Sequence, residues 1–357
     1  MRTLGLPPPA SLAVHRGVSD TGATVAIRGL ASPFSILHVS DSHIDGGPEP
    51  GREAEAEFMR GVNSQGLPDM SARGDISSAA DKLWTQLQTG AQAGARLVAH
   101  TGDLVNFPSR KAVALVQGII DDSGIAEFLF ISGNHDWAYS AGGGTGQLAG
   151  SSGPWVTQDE VGLSGLEAMR AGEIGGALAP LFGGRHGTAW AHDVGGLRFV
   201  GVDNSHYQVD ATQHAVLLDA LRLEPRARGT QPPVVGVVLM VHVPLFCETL
   251  VASMAAGGRD CGDSVCGNPS GTNPPLPSTA AFIETVRGAS NLVCVLSGHL
   301  HSAQAQKLSG EWRADRPGDR TPLPCHGCLQ YVVDGGCYGG YRLLSFVPLE
   351  ADAAPRL

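Results

Sequence analysis

Basic residues are scarce: 24 Lys and Arg stand against 34 Asp and Glu, giving a formal net charge of −10. That balance argues against a broad surface for nucleic acid or anionic lipid, since both need clustered cations. A small phosphorylated ligand stays compatible, because bound metal ions bring their own positive charge. Long apolar runs are missing too, and no stretch would span a bilayer. Residues 1–14 include Arg2 but lack a continuous apolar core, prolines 7–9 interrupting it, so they do not read as a secretory signal. The seven cysteines are an odd number at low density. They read as mostly free or buried thiols in a reducing, cytoplasmic compartment. Cys261/Cys266 and Cys325/Cys328, with His326 inside the second pair, leave open a disulfide or a small structural metal site. Internal repeats, coiled-coil heptads and a clear interdomain linker are also absent.

What is present is 42% hydrophobic residues and 49 glycines, a composition of compact, turn-rich globules. The 357 residues exceed one typical domain but suit a large two-sheet α/β enzyme folded as one unit. Short apolar runs recur at 34–40, 96–101, 127–132, 197–202, 234–241 and 291–296, each with polar residues at its carboxyl end. Such runs describe strands that present a site along one rim of their sheets. Helices are expected from Ser77 or Ser78 to Ala95, over 111–121, 212–223 and 278–287. Two last runs, 329–333 and 341–347, flank the glycine-rich 334–340 and are expected to pair antiparallel in a second sheet. Residues 1–33 read as an N-terminal extension that could add a strand to the core, and 34–350 as the main domain. Insertions near 46–74, 141–153 and 257–277 are rich in Gly, Pro, Ser or acidic residues; loops of that length are usually functional or mobile.

Five short motifs sit at the ends of these runs. They are Asp41-Ser42-His43, Gly102-Asp103, Gly133-Asn134-His135-Asp136, His242 and Gly298-His299-Leu300-His301. Carboxylate, imidazole and amide oxygen are the donors that hard and borderline dications take. A pair of adjacent metal ions bridged by one carboxylate needs a set of about this size. The Asp-x-His and His-x-His spacings are expected to place both side chains on one side of an extended segment. His135 would then point away from Asn134.

The ordered set resembles the calcineurin-like metallophosphoesterase superfamily, over roughly residues 34 to 346. The resemblance implies a four-layer α/β/β/α sandwich of two mixed sheets, with a dinuclear centre at their edge. Asp41, His43, Asp103 and His301 would hold one metal, and Asp103, Asn134, His242 and His299 the other, with Asp103 as the bridge. The metals would come from Mn, Fe, Zn, Co and Ni, among which donor type does not choose. A metal-bridging hydroxide would attack the phosphoester of a small molecule. His135 would act as general acid or donor to the phosphoryl oxygen, and Asp136 would orient it or a neighbouring group. Asn106, His206, Tyr338 and Arg342 are candidate substrate contacts. His38 and His100 read as packed neighbours of the ligands, and His186, His192 and His214 as surface or structural.

Two departures narrow the branch. Asn106 stands where purple acid phosphatases carry a tyrosine ligand, and the Gly102–Asn106 motif lacks the arginine of protein Ser/Thr phosphatases. The pattern is most similar to the cyclic-nucleotide and glycerophosphodiester phosphodiesterase branch. A phosphodiesterase is therefore expected. The alternatives are a phosphomonoesterase on a metabolite or nucleotide, a nuclease, and a non-catalytic scaffold of the same fold. Oligomeric state is silent in the sequence.

Overall fold

The computed structural model describes residues 12–47, 49–53, 56–57, 79–137, 158–223, 233–257, 264–269, 271, 273–308 and 328–350. Most strands are buried on both faces, and successive side chains feed different layers. Ile36 and Leu97 point into the core between the sheets, while Leu37 and Val98 pack outward under helices. The same alternation splits Val238 from Leu239 in the second sheet.

The first sheet has the order β1 (Ala13–Arg16), β2 (Gly22–Ile27), β12 (Arg342–Pro348), β3 (Phe34–Val39), β4 (Ala95–His100), β5 (Glu127–Phe130). The second runs β10 (Gln304–Lys307), β11 (Leu329–Val332), β9 (Leu292–Ser297), β8 (Gly236–Met240), β7 (Leu197–Val202), β6 (Ala189–Val194). Both are mixed: β3, β4 and β5 are parallel neighbours, as are β7, β8, β9 and β11. Helices α1 (Ala79–Gln92) and α2 (Arg110–Ser123) cover the outer face of the first sheet through Leu83, Leu87, Val113 and Val116. Helix α3 (Gln158–Gly175) packs against the short 3-10 turn His135–Trp137. Helices α4 (Ala211–Leu221) and α6 (Pro277–Gly288) cover the second sheet through Leu217, Phe282 and Ile283, with α5 (Glu248–Ala256) near its far edge. The result is the four-layer α/β/β/α sandwich.

Caps explain where several helices begin. Ser109 Oγ accepts the Ala112 N–H at the start of α2. Asp210 and Gln213 form a reciprocal capping box at the start of α4. Helix α1 stops short of the expected Ala95 because Gly94 takes φ 73° and Ala95 already belongs to β4. Ser77 and Ser78 lie outside the described residues.

The expected pairing of the last two runs is corrected. β11 joins the second sheet parallel to β9, whereas β12 enters the first sheet between β2 and β3. The chain crosses from one sheet to the other through 333–341, where Gly336 N–H donates to Ser40 O and Cys337 N–H to Asp41 O. A side chain at Gly336 would meet that Ser40 carbonyl, so the glycines let the crossing hug the turn after β3. Where one added strand was expected within 1–33, two strands lie, β1 and β2; nothing in the sequence pattern points to β6, β10, α3 or α5. Much of the three insertions lies outside the described residues, as do Cys261, Cys325 and His326; Cys266 and Cys328 are buried.

Candidate metal centre

The ligand candidates lie just beyond β3, β4, β5, β8 and β9, where the sheets stop and the backbone turns. These turns are not the extended segments expected from the spacing. Asp41, His43, Asp103, His299 and His301 have φ of 55°, 48°, 51°, 67° and 46°. Non-glycine residues rarely adopt this left-handed region, and strain of this kind clusters at functional sites. The curl, rather than strand alternation, swings alternate side chains to one point. His135 is corrected likewise: it opens a 3-10 turn, His135–Trp137. Its backbone N–H donates to Asp103 Oδ1 at 2.8 Å.

Backbone bonds stitch the turns together. Asp41 N–H donates to Gly102 O, His43 N–H to Asp103 O, and Gly298 N–H to His242 O, all at 2.9–3.0 Å. The glycines permit close approach: a methyl at Gly133 would overlap Asp103 Oδ1, and one at Gly298 would overlap Ser40 Oγ and Asp41 Oδ2.

Two clusters result. Asp41, His43 and His301 each offer a ligand atom within 4.8 Å of the others, and so do Asp103, His242 and His299. A further grouping joins His43, Asp103 and His135. With Oδ1 of Asp103 taken by His135 N–H, Oδ2 is the oxygen between the clusters, 3.3 Å from His242 Nε2 and 3.9 Å from His43 Nε2. His301 Nε2 lies 3.1 Å from His43 Nε2 and 3.2 Å from Asp41 Oδ1. Asn134 Oδ1 lies 3.0 Å from His242 Nε2.

The protonation of His242 decides what these contacts need. Its Nδ1 donates to the Thr101 carbonyl at 2.8 Å, so a neutral ring turns a lone pair on Nε2 toward two acceptor oxygens. Acceptors facing acceptors need a cation between them, either one more proton or a metal ion. Burial opposes the proton, but Asp103 overcomes it and raises His242 to about 9. Asp103 is itself held well below the usual carboxylate range, where burial is outweighed by His242 and the other imidazoles. Burial and neighbouring imidazoles lower His43, His135 and His299, His299 falling to about 3. Neutral imidazoles and ionised carboxylates are the protonation states that bind dications. The residues fit a pair of metal ions.

Around the centre, His38 Nε2 bonds Thr101 Oγ1 and His100 Nε2 bonds Ser42 Oγ. Asp136 is fully buried, and its two oxygens accept from Val105 N–H and Gly133 N–H, bracing the second and third motifs against each other. Burial and then Asp103 push it up to about 8, against those donors. Tyr338 is half-buried with its ring edge-on to His301, and Asn106 is buried with its backbone bonded to His135. Two candidate substrate contacts lie elsewhere. His206 is held by Arg170 and Glu167, and buried Arg342 sits over the Tyr331 ring with Nη2 on the Gln304 and Val332 carbonyls.

Sequence reasoning missed Asn204, Ser205 and Tyr207. Asn204 Oδ1 accepts from the His242 and Val243 N–H groups, and Tyr207 OH lies 2.7 Å from His299 Nε2. Their position at the end of β7, beside the candidate His206, is the available signal.

A model of the calcineurin-like phosphoesterase family matches residues 34–303. The chain belongs to this family. It is a metal-dependent phosphoester hydrolase, and the family implies a dinuclear divalent metal centre. No curated protein matches it. Among solved structures it is similar to a dimetal phosphatase from Danio rerio, at 13% identity and TM-score 0.41, covering 85% of this chain and 88% of that one. It is also similar to a purple acid phosphatase from yellow lupin seeds, at 12% identity and TM-score 0.44, covering 92% of this chain and 48% of that one. Haemophilus influenzae NAD nucleotidase is similar at 11% identity and TM-score 0.35, over 88% of this chain and 48% of that one. Among the described residues, no helix is long and apolar enough to cross a membrane.

Proposed function

We propose that this hydrolase acts on a small phosphodiester, with Asp41, His43, Asp103 and His301 at one metal and Asp103, Asn134, His242 and His299 at the other. The observation that carries the ligand assignment is the facing of His242 Nε2, Asn134 Oδ1 and Asp103 Oδ2, which a shared cation satisfies. Two bound dications would neutralise phosphoryl charge and supply hydroxide near neutral pH. His135 N–H holds Asp103 by one oxygen, and the other would be available to both ions. His135, beside His43 and Asp103, would serve as general acid or as hydrogen-bond donor to a phosphoryl oxygen. Asp136 positions the backbone under it. Tyr338 at the rim is the assigned substrate contact, since His206 and Arg342 are buried and engaged elsewhere.

The diester reading rests on charge. A monoester carries more negative charge and gains from added cations. Here the groups acting on Asp41 and Asp103 are imidazoles and each other. Arg170 is bound to Glu167 and Asp203, Lys82 donates to the Cys337 carbonyl, and Arg110 is exposed on α2. Assays of an aryl phosphodiester and the matching monoester, with each candidate metal, test the reading. The expected outcome is a higher kcat/KM for the diester; a preference for the monoester with the same leaving group and metal would assign a phosphatase.

A further inference from the structure

The turn after β7 touches three parts of the centre. Asn204 Oδ1 fixes the backbone of His242, and Ser205 Oγ accepts from Trp137 Nε1 at 2.7 Å, anchoring the turn that carries His135. Tyr207 completes the set through the 2.7 Å contact with His299 Nε2, its ring edge-on to that imidazole at 5.7 Å. Tyr207 is 2% exposed and held at φ 65°, with its N–H on Asn204 O at 2.7 Å and its carbonyl accepting from Cys266 Sγ. A bulky residue in that conformation persists only where its surroundings over-determine it.

A tyrosine hydroxyl can donate or accept, and a neutral imidazole has one nitrogen of each kind. With His299 grouped beside Asp103 and His242, a metal there needs a lone pair from its ring. Since Nε2 is engaged by the hydroxyl, the remaining nitrogen is Nδ1. We propose that Tyr207 is a positioning residue for one of the two metals: its hydroxyl accepts the Nε2 proton of His299 and so fixes Nδ1 as the ligand atom. The 203–207 turn then serves both imidazoles assigned to that metal, His242 through Asn204 and His299 through Tyr207. It touches neither His43 nor His301 by any bond described above. Tyr207 therefore acts on one metal position and not the other.

This inference rests on the proposed assignment of His299 as a ligand, and the test separates the two. Zinc is titrated calorimetrically into metal-free wild type, Tyr207→Phe and His299→Ala, and bound metal is counted by elemental analysis. In Tyr207→Phe, one equivalent should weaken about tenfold to a hundredfold, the usual cost of losing an outer hydrogen bond to a metal ligand. The other should bind as in wild type. Two equivalents bound as in wild type, or both weakened alike, would overturn the role of Tyr207. Retention of both equivalents by His299→Ala would instead remove His299 from the ligand set, and the inference with it. A second readout does not depend on the variant folding. Long-range nitrogen–proton NMR correlation on zinc-loaded wild type should place the His299 proton on Nε2; a proton on Nδ1 would overturn the inference.

Discussion

Asp103 must face two sides with one oxygen. His135 N–H occupies Oδ1, so Oδ2 alone faces both His43 and His242. Asp103→Asn would remove the charge that offsets repulsion between two dications. Hydrolysis should be abolished and metal occupancy should fall, while the fold survives because the site lies at strand ends. Turnover and elemental analysis at saturating metal check this, and wild-type turnover would sink the assignment. His135 is argued from the same place. His135→Ala should keep both metals and lose roughly 10² to 10⁴ in kcat, the usual contribution of a positioned proton donor. The loss should shrink for activated leaving groups; equal losses across leaving groups would point to phosphoryl-oxygen stabilisation. Release of a metal equivalent would make His135 a ligand, as its grouping with His43 and Asp103 would allow.

Among the elements, the turns after the strands carry the chemistry, and their glycines set how closely they approach. At Gly298 a methyl group would overlap Ser40 Oγ and Asp41 Oδ2. Gly298→Ala therefore has to push the β9 turn away from the β3 turn, moving His299, whose N–H donates to both oxygens of Asp41. Overpacking of this kind costs about 1–3 kcal/mol. The expected result is a lower melting temperature together with weaker metal binding. A variant that melts earlier but binds metal as wild type would show that the contact serves stability alone. Legibility divides at this scale: strand positions follow from apolar runs bounded by polar ends, whereas β6, β10 and α3 lack such contrast. His-x-His and Asp-x-His spacing marks the candidate ligands but implies extended backbone. Left-handed φ values arise from hydrogen bonds to other turns, which local sequence does not encode.

Across the whole molecule, the two sheets are joined by a polar contact as well as by their shared core. His15 on β1 lies 2.7 Å from the Tyr331 hydroxyl on β11, through Nδ1. Burial lowers His15 from 6.5 to about 4, against a smaller pull from the Val293 backbone. The folded state thus holds His15 neutral where the unfolded chain would take a proton. Stability is fully present above about pH 6.5 and is lost as pH falls toward about 4, below which the loss levels off. Replacing His15 with Phe should flatten that limb of the stability curve, measured by denaturant melts across this range. An unchanged slope would assign the acid sensitivity to other groups.

Donor type and a place after an apolar run are enough to single out Asp41, His43, Asp103, Asn134, His242, His299 and His301 as candidate ligands. The layered α/β architecture is legible in the sequence too, because strands buried on two faces must be covered by helices. The parting of β11 and β12 to different sheets is a tertiary outcome, since it depends on which neighbour's backbone groups each strand meets. Only the packing of turns from both sheets brought Tyr207 to His299 and took His206 and Arg342 to other partners. Donor type belongs to a residue; what a side chain faces belongs to every element packed around it.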